Sequence, residues 1–177
     1  MGRITFAQVN NLPDALDSNA YEMLFGTIPG YGLTSDLTVK CQTVSIPGFS
    51  NEAWETNLHG YVVKNRGRKM FARTLSATFT EHADGSTLKA FKVWDEYIAG
   101  SKSGNSQGFK KGPDGYSVQS ALRVYNTIGA LANEVEFVNM FLQEISDVNL
   151  DSSSSQQMLV SATFSFDQIM WGGIPLL

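Results

Sequence analysis

The sequence predicts a mainly-β domain, a sandwich or barrel of about seven strands with one flanking α-helix. Three observations carry that prediction. Several stretches alternate apolar and small polar residues with period two, the pattern of a strand with one face buried and one wet. A single stretch, Thr87 to Ala99, instead spaces its apolar residues at helical intervals. The chain has 177 residues, 42% of them hydrophobic. One domain of that size buries roughly 70% of its unfolded surface, enough for a core without covalent staples.

Residues 1–18 carry Asn10, Asn11, Pro13, Asp14 and Asp17 with little periodicity and read as an N-terminal arm. Tyr21, Met23 and Phe25 alternate with Glu22 and Leu24, giving a first strand that ends near Gly26. Leu37, Val39 and Cys41 alternate with Thr38, Lys40 and Gln42, so a second strand is expected from Leu37 to Val44, stopped by Pro47-Gly48. Trp54, Thr56, Leu58, Gly60 and Val62 share one face of a strand-like stretch at 52–64. Asn65-Arg66-Gly67 supplies its hairpin turn, because asparagine and glycine tolerate positive φ. A fourth strand runs from Lys69 to Thr80. Residues 46–68 thus form an arm projecting from the domain. A compact domain rarely extends such an excursion without a use for it.

The helix buries Leu88, Phe91, Trp94, Tyr97 and Ile98. Ser86 or Asp84 is its expected N-cap and Gly100 its stop. Residues 101–116, glycine-rich and carrying Lys110-Lys111, form a flexible loop. Val118, Ser120, Leu122 and Val124 line one face of the next strand, which ends near Asn126-Thr127-Ile128-Gly129. Residues 134–149 are apolar on both faces. Either a bulge near Asn139 moves that strand between sheets or both faces are buried. Asp151–Ser155 is a polar loop. In the last strand Met158, Val160, Ala162, Phe164 and Phe166 point inward and Ser161, Thr163 and Ser165 outward, with Leu159 the exception.

Charge is sparse and unevenly placed. Charged residues make up 17% of the chain and the net charge is −4, so bulk electrostatics exclude a general nucleic-acid binder. Lys64, Arg66, Arg68, Lys69 and Arg73 fall in ten residues with no acid among them. After Arg123 there is no lysine or arginine, while Glu134, Glu136, Glu144, Asp147, Asp151 and Asp167 follow. A basic arm and an acidic second half attract copies of one chain in a fixed orientation; ordinary solvated surface accounts for the same charges equally well. The start, MGRITFAQVNN, lacks a signal peptide's apolar run, and no run approaches the ~18 apolar residues of a membrane span. The expectation is folding in a reducing cytoplasm.

No catalytic, metal or cofactor motif stands out: there is no G-x-S-x-G, Walker motif, H-E-x-x-H or Cys/His metal spacing. His59 and His82 read as solvated. Cys41, the one cysteine, reads as a small buried hydrophobe. Asp95-Glu96 is a wet helix face. The outward strand faces are more informative. Thr38 and Gln42, Thr74, Ser76, Thr78 and Thr80, and Ser161, Thr163 and Ser165 are short, polar and uncharged. Side by side they form a smooth hydrated wall, although threonine is also simply a favoured residue on exposed sheets.

At this point the chain resembles the tail tube proteins of contractile-tailed bacteriophages, which share a fold with the tube protein (Hcp) of the type VI secretion system. LTVKCQTVSIPGFS (37–50) resembles the family's strand running into a proline-glycine turn. GRKMFARTLSATFTEHADGSTLKAFKVWDEY (67–97) resembles its long strand, acidic turn and helix with an aromatic-tryptophan centre. SDVNLDSSSSQQMLVSATFSFDQIMW (146–171) resembles its closing loop and A-T-F-x-F-D strand. The 101–116 loop has no counterpart in that pattern.

The resemblance implies a structural protein without catalysis or cofactor. Six copies form a ring, and rings stack into a hollow tube through which DNA passes on ejection. The implied partners are the chain itself, the tail sheath protein, baseplate and terminator proteins, and the tape measure protein and DNA in the lumen, with no stable membrane association. Thr74, Ser76, Thr78, Ser161, Thr163 and Ser165 are the candidates to face the lumen. Trp54, Leu58, Tyr61, Lys64, Arg66 and Arg68 are the candidates for an inter-subunit arm. The alternatives are a baseplate, tube-initiator or terminator protein of the same fold, a secreted tube protein, and a small β-barrel that binds a ligand in an apolar interior.

Overall fold

The computed structural model describes residues 16–32, 35–99, 113–148, 150, 153, 156–172 and 174–175. Expectations for residues 1–15, for the Gly100 stop, for 101–112 and for most of the 151–155 loop lie outside the described residues. In chain order the elements are β1 (Tyr21–Phe25), α1 (Ser35–Lys40), β2 (Cys41–Val44), β3 (Phe49–Leu58), β4 (Tyr61–Phe71), β5 (Thr74–Thr80) and α2 (Ser86–Ala99). Then come α3 (Pro113–Tyr116), β6 (Val118–Tyr125), β7 (Leu131–Ile145), β8 (Leu159–Ser165), β9 (Gln168–Trp171) and β10 (Ile174–Pro175). The mainly-β expectation holds.

Eight strands join one antiparallel sheet in the order β1–β6–β7–β8–β5–β2, with β9 added to β7 and β10 to β9. The sheet curls until its end strands meet. The Tyr21 hydroxyl on β1 donates to the Gln42 carbonyl on β2. Five rings fill the interior from elements distant in sequence. Phe25, Phe79, Phe164, Phe91 and Trp94 lie with ring centroids 5.1–6.2 Å apart. Each such buried ring is worth up to ~3 kcal/mol by area alone. An interior occupied by these rings argues against the ligand-binding barrel.

The helix α2 closes the core with Thr87, Ala90, Phe91 and Trp94, none of them exposed. The Trp94 indole N–H donates to the Tyr116 carbonyl at 2.8 Å, so the end of the expected 101–116 loop is ordered as α3. Tyr97 departs from the expected buried stripe and stands 38% exposed, because positions 87, 90, 91 and 94 supply the inward face.

β7 is the strand both parts of the sheet share. Its first half lies between β6 and β9, and its second half pairs with β8. Asn139 sits in the left-handed region, φ 55°, where the β6–β7 register shifts by one residue. Before it Val135 and Phe137 are buried; after it Met140 and Leu142 are. The expected bulge therefore changes which residues point inward, and explains why the segment is apolar on both faces.

Three local expectations are corrected. Residues 37–40 belong to helix α1, not to a strand. Leu37 is 2% exposed and Val39 85%, so only one of the two apolar residues faces the core. Asp36 in the first turn and Lys40 in the last suit the helix dipole. The second correction concerns the arm. Its hairpin turn lies at His59-Gly60, φ 49° and 86°, not at Asn65-Arg66-Gly67. Two consecutive positive φ angles suit the two-residue turns that match strand twist. Gly67 lies inside β4 at a bulge between the Asn51–Lys69 and Ala53–Arg66 pairs. A Cβ there would sit 2.8 Å from the Glu52 carbonyl oxygen, which only glycine permits. The expected strand from Lys69 to Thr80 is likewise interrupted at Ala72-Arg73, where β4 ends and β5 begins.

Candidate functional site

The strands β5 and β8 pair so that all six candidate wall residues oppose one another. Thr74 faces Ser165, Ser76 faces Thr163 and Thr78 faces Ser161. Thr78 Oγ1 and Ser161 Oγ lie 3.3 Å apart. The face is solvated or half-buried throughout. On its reverse Leu75, Ala77, Phe79, Val160, Ala162 and Phe164 are all buried. Strict alternation thus places a hydroxyl ladder directly behind the aromatic core. Thr43 of β2 extends it beside Thr78, and Glu144 of β7 extends it beside Thr163.

The strands β3 and β4 form a sheet of their own. Cross-strand pairing gives this hairpin two chemically different faces. Leu58 opposes Tyr61, Thr56 opposes Val63 and Trp54 opposes Asn65. On that face the Asn65 amide donates to Thr56 Oγ1 at 3.1 Å. On the other face Glu55 opposes Lys64, with their charged atoms 3.3 Å apart, and Ala53 opposes Arg66. The Lys69 ammonium lies 4.8 Å from the Phe49 ring centre. Trp54 is 56% exposed, Leu58 55% and Tyr61 77%. His59-Gly60 forms the tip of the arm, and Lys64, Arg66, Arg68 and Lys69 lie along β4 toward its base. Val62 falls opposite Asn57, away from Trp54 and Leu58, because the turn intervenes.

At the base of α2 the structure brings together a cluster that sequence reasoning missed. The Glu81 carboxylate accepts the Thr87 N–H at 3.1 Å, the Leu88 N–H at 2.7 Å and the His82 N–H at 3.1 Å. Burial alone pushes its pKa up. The backbone donors of Leu88, Thr87 and His82 and the Thr87 side chain outweigh that and hold it below the ordinary glutamate range. The expected caps are partly corrected. Asp84 Oδ1 accepts the Ser86 N–H at 3.3 Å and the Gly85 carbonyl takes the Lys89 N–H, but Glu81 satisfies the next two helix donors. Glu81 stands five residues before the helix, ahead of the turn, where a search for adjacent caps does not look. Lys40 reaches the same place from α1: its ammonium donates to the Ser86 hydroxyl and lies 3.7 Å from Asp84.

The remaining chemistry-bearing side chains are dispersed. His59 is at the hairpin tip and His82 in an exposed turn. Burial pushes the Cys41 thiol up to about 12, so it holds its proton at neutral pH and is a poor nucleophile. Among the described residues no three His, Cys, Asp or Glu side chains gather to hold a metal ion.

The fold is similar to that of chains from contractile injection systems. A chain of the anti-feeding prophage baseplate is 12% identical, with TM-score 0.61 over 93% of this chain and all of that one. A chain of the extended sheath–tube complex of an extracellular contractile injection system, PVC, is 11% identical, with TM-score 0.59 over 97% of this chain and all of the other. A chain of the PVC sheath/tube terminator is 12% identical, with TM-score 0.62 over 90% of this chain and 98% of that one. No curated protein matches the sequence. The likeness to these chains is one of fold. Residues 4–171 match the family described as phage tail tube protein, and the chain belongs to that family.

Proposed function

We propose that this chain is the repeating structural subunit of a phage tail tube. Six copies form a ring, and rings stack into a hollow tube within the sheath. The observation that carries the reading is the β3–β4 hairpin, which forms a sheet of its own and leaves Trp54, Leu58 and Tyr61 more than half exposed. Burying a large apolar side chain is worth roughly 1.5–3 kcal/mol, so three left in water favour a neighbour that covers them. Trp54, Leu58 and Tyr61 anchor the arm on adjacent copies, and Lys64, Arg66 and Arg68 orient it.

The hydroxyl ladder of Thr74, Ser76, Thr78, Ser161, Thr163 and Ser165 lines the lumen. Short neutral side chains give passing phosphates no cation to pair with. The tape measure protein and then DNA occupy that lumen. Baseplate and terminator proteins bound the tube at its ends, and assembly takes place in the host cytoplasm. The role is architectural, with no catalysis, cofactor or stable membrane association. Electron microscopy and sedimentation at rising protein concentration test this reading: rings of six and tubes are expected, and compact monomer at every concentration overturns it. Extended tubes favour the repeating subunit, whereas a ring that stops at one layer favours a terminator or baseplate component.

A further inference from the structure

The hairpin carries exposed apolar side chains on both of its faces. Trp54, Leu58, Tyr61, Val63 and Met70 lie on one face, each at least 43% exposed. Phe49 and Val62, at 59% and 57%, lie on the reverse with Lys64, Arg66 and Lys69. A body packed on one face of a thin ribbon leaves the other in water. Within the chain Lys64 is bridged to Glu55 and Lys69 lies over Phe49, and Arg66 stands exposed beside them.

The chemistry complementary to the basic face is present elsewhere on the same chain. Glu22 on β1, Arg123 on β6 and Glu134 on β7 sit side by side in register, and Glu136 lies beside Ala121 on the same outward face. Among the described residues Arg123 is the cation that pairs with these acids: its Nε donates to Glu134 at 2.7 Å. The reverse of this sheet is the buried face of Met23, Leu122, Val135 and Phe137, so the acids have no option but to point outward. A shallow depression on this outward face is lined by Leu24, Gln119, Ala121, Arg123, Glu134 and Glu136.

We propose that each β3–β4 hairpin is held between two other copies of the chain. Its apolar face lies on one, and its basic face lies on the outward acidic face of β1–β6–β7 of the other, with Arg66 against Glu136. This rests on the tube reading above and assigns the surfaces it uses. The contact joins unlike patches, so it propagates from copy to copy rather than closing as a dimer. It also makes the hairpin a clamp: removing either face leaves the other bound.

The test uses the full chain, observed by electron microscopy and sedimentation. Arg66→Glu and Glu136→Lys each raise the critical concentration for assembly about fivefold at low salt, and the two together return it to within about twofold of wild type. Added salt shrinks both single effects, since charges near the surface are screened within about 10 Å at 0.1 M. Trp54→Ala also weakens assembly, but Glu136→Lys does not rescue it. In a Cys41→Ser background, Arg66→Cys with Glu136→Cys gives a ladder of disulfide-linked species longer than dimers after mild oxidation of assembled tubes. Tubes that form without that ladder, a ladder ending at dimers, or a double charge variant no better than the worse single one overturns the two-copy clamp. So does an Arg66→Glu variant that assembles normally but loses affinity for DNA, which assigns the basic face to nucleic acid. A wild-type chain that makes neither rings nor tubes overturns the tube reading itself.

Discussion

Glu81 shows how much a single carboxylate settles. Helix α2 begins with backbone N–H groups that have no intrahelical partner, and this side chain takes two of them. Replacing Glu81 by Ala should cost about 1 kcal/mol, as loss of a helix cap does elsewhere. Because its pKa in the folded chain is lowered, its contribution is complete above the ordinary glutamate pKa, about 4.3, and is lost as pH falls through the lowered folded value. Thermal melts should therefore show wild type and Glu81→Ala converging in strong acid and fully separated above about pH 4.3. A gap that persists unchanged into strong acid contradicts this account. Trp54 and Arg66 separate in another way. Trp54→Ala should weaken ring stacking more than Arg66→Ala, since exposed ion pairs contribute only ~0–1 kcal/mol each. Only the arginine effect should fade in salt, as measured by the concentration at which tubes appear.

At the scale of elements, the hairpin is separable from the body. Phe49 opposes Phe71 at its base, so deleting 50–66 leaves Gly67 to Met70 to bridge the gap. The deleted chain should keep cooperative unfolding and the near-ultraviolet signal of its aromatic core while losing the ability to form long tubes. Normal polymerisation by this variant removes the arm from the account of assembly. The elements also show what was legible in the sequence. β5 and β8 were readable because one face is aromatic core and the other hydroxyl ladder, and that contrast imposes period two. The lumen candidates follow from the same alternation, but their mutual register is long-range pairing and no local pattern carries it. The turn at His59-Gly60 was missed because Asn65-Arg66-Gly67 has a stronger local signal for positive φ. That glycine is instead required by the close approach of Glu52. α1 was missed because six residues with two apolar positions fit a strand and a helix equally well.

At the scale of the molecule, the proposed lumen wall can be tested through the contrast between the two faces of β5 and β8. Ser76→Lys with Thr163→Lys leaves the buried reverse face untouched, so rings and tubes should still form. Phosphates would then pair with the new cations, and DNA release from particles carrying the variant should slow measurably. Release at the wild-type rate, or a density map placing these side chains on the outside of the tube, removes them from the lumen.

One strand has a mechanical consequence. β7 is continuous through the bulge at Asn139 and is shared by the β6–β9 part of the sheet and by β8 of the polar wall. Load applied to one part therefore travels to the other along covalent bonds, rather than as shear across hydrogen bonds that could slip one by one. The joint depends on a residue that accepts φ 55°. Asn139→Gly should preserve it, whereas Asn139→Val, which strongly disfavours that conformation, should let the two parts yield separately. Under a steady pulling force, wild type and Asn139→Gly should then rupture in one step and Asn139→Val in two at lower force. Such a spar lets the two parts of the sheet bear load as one body.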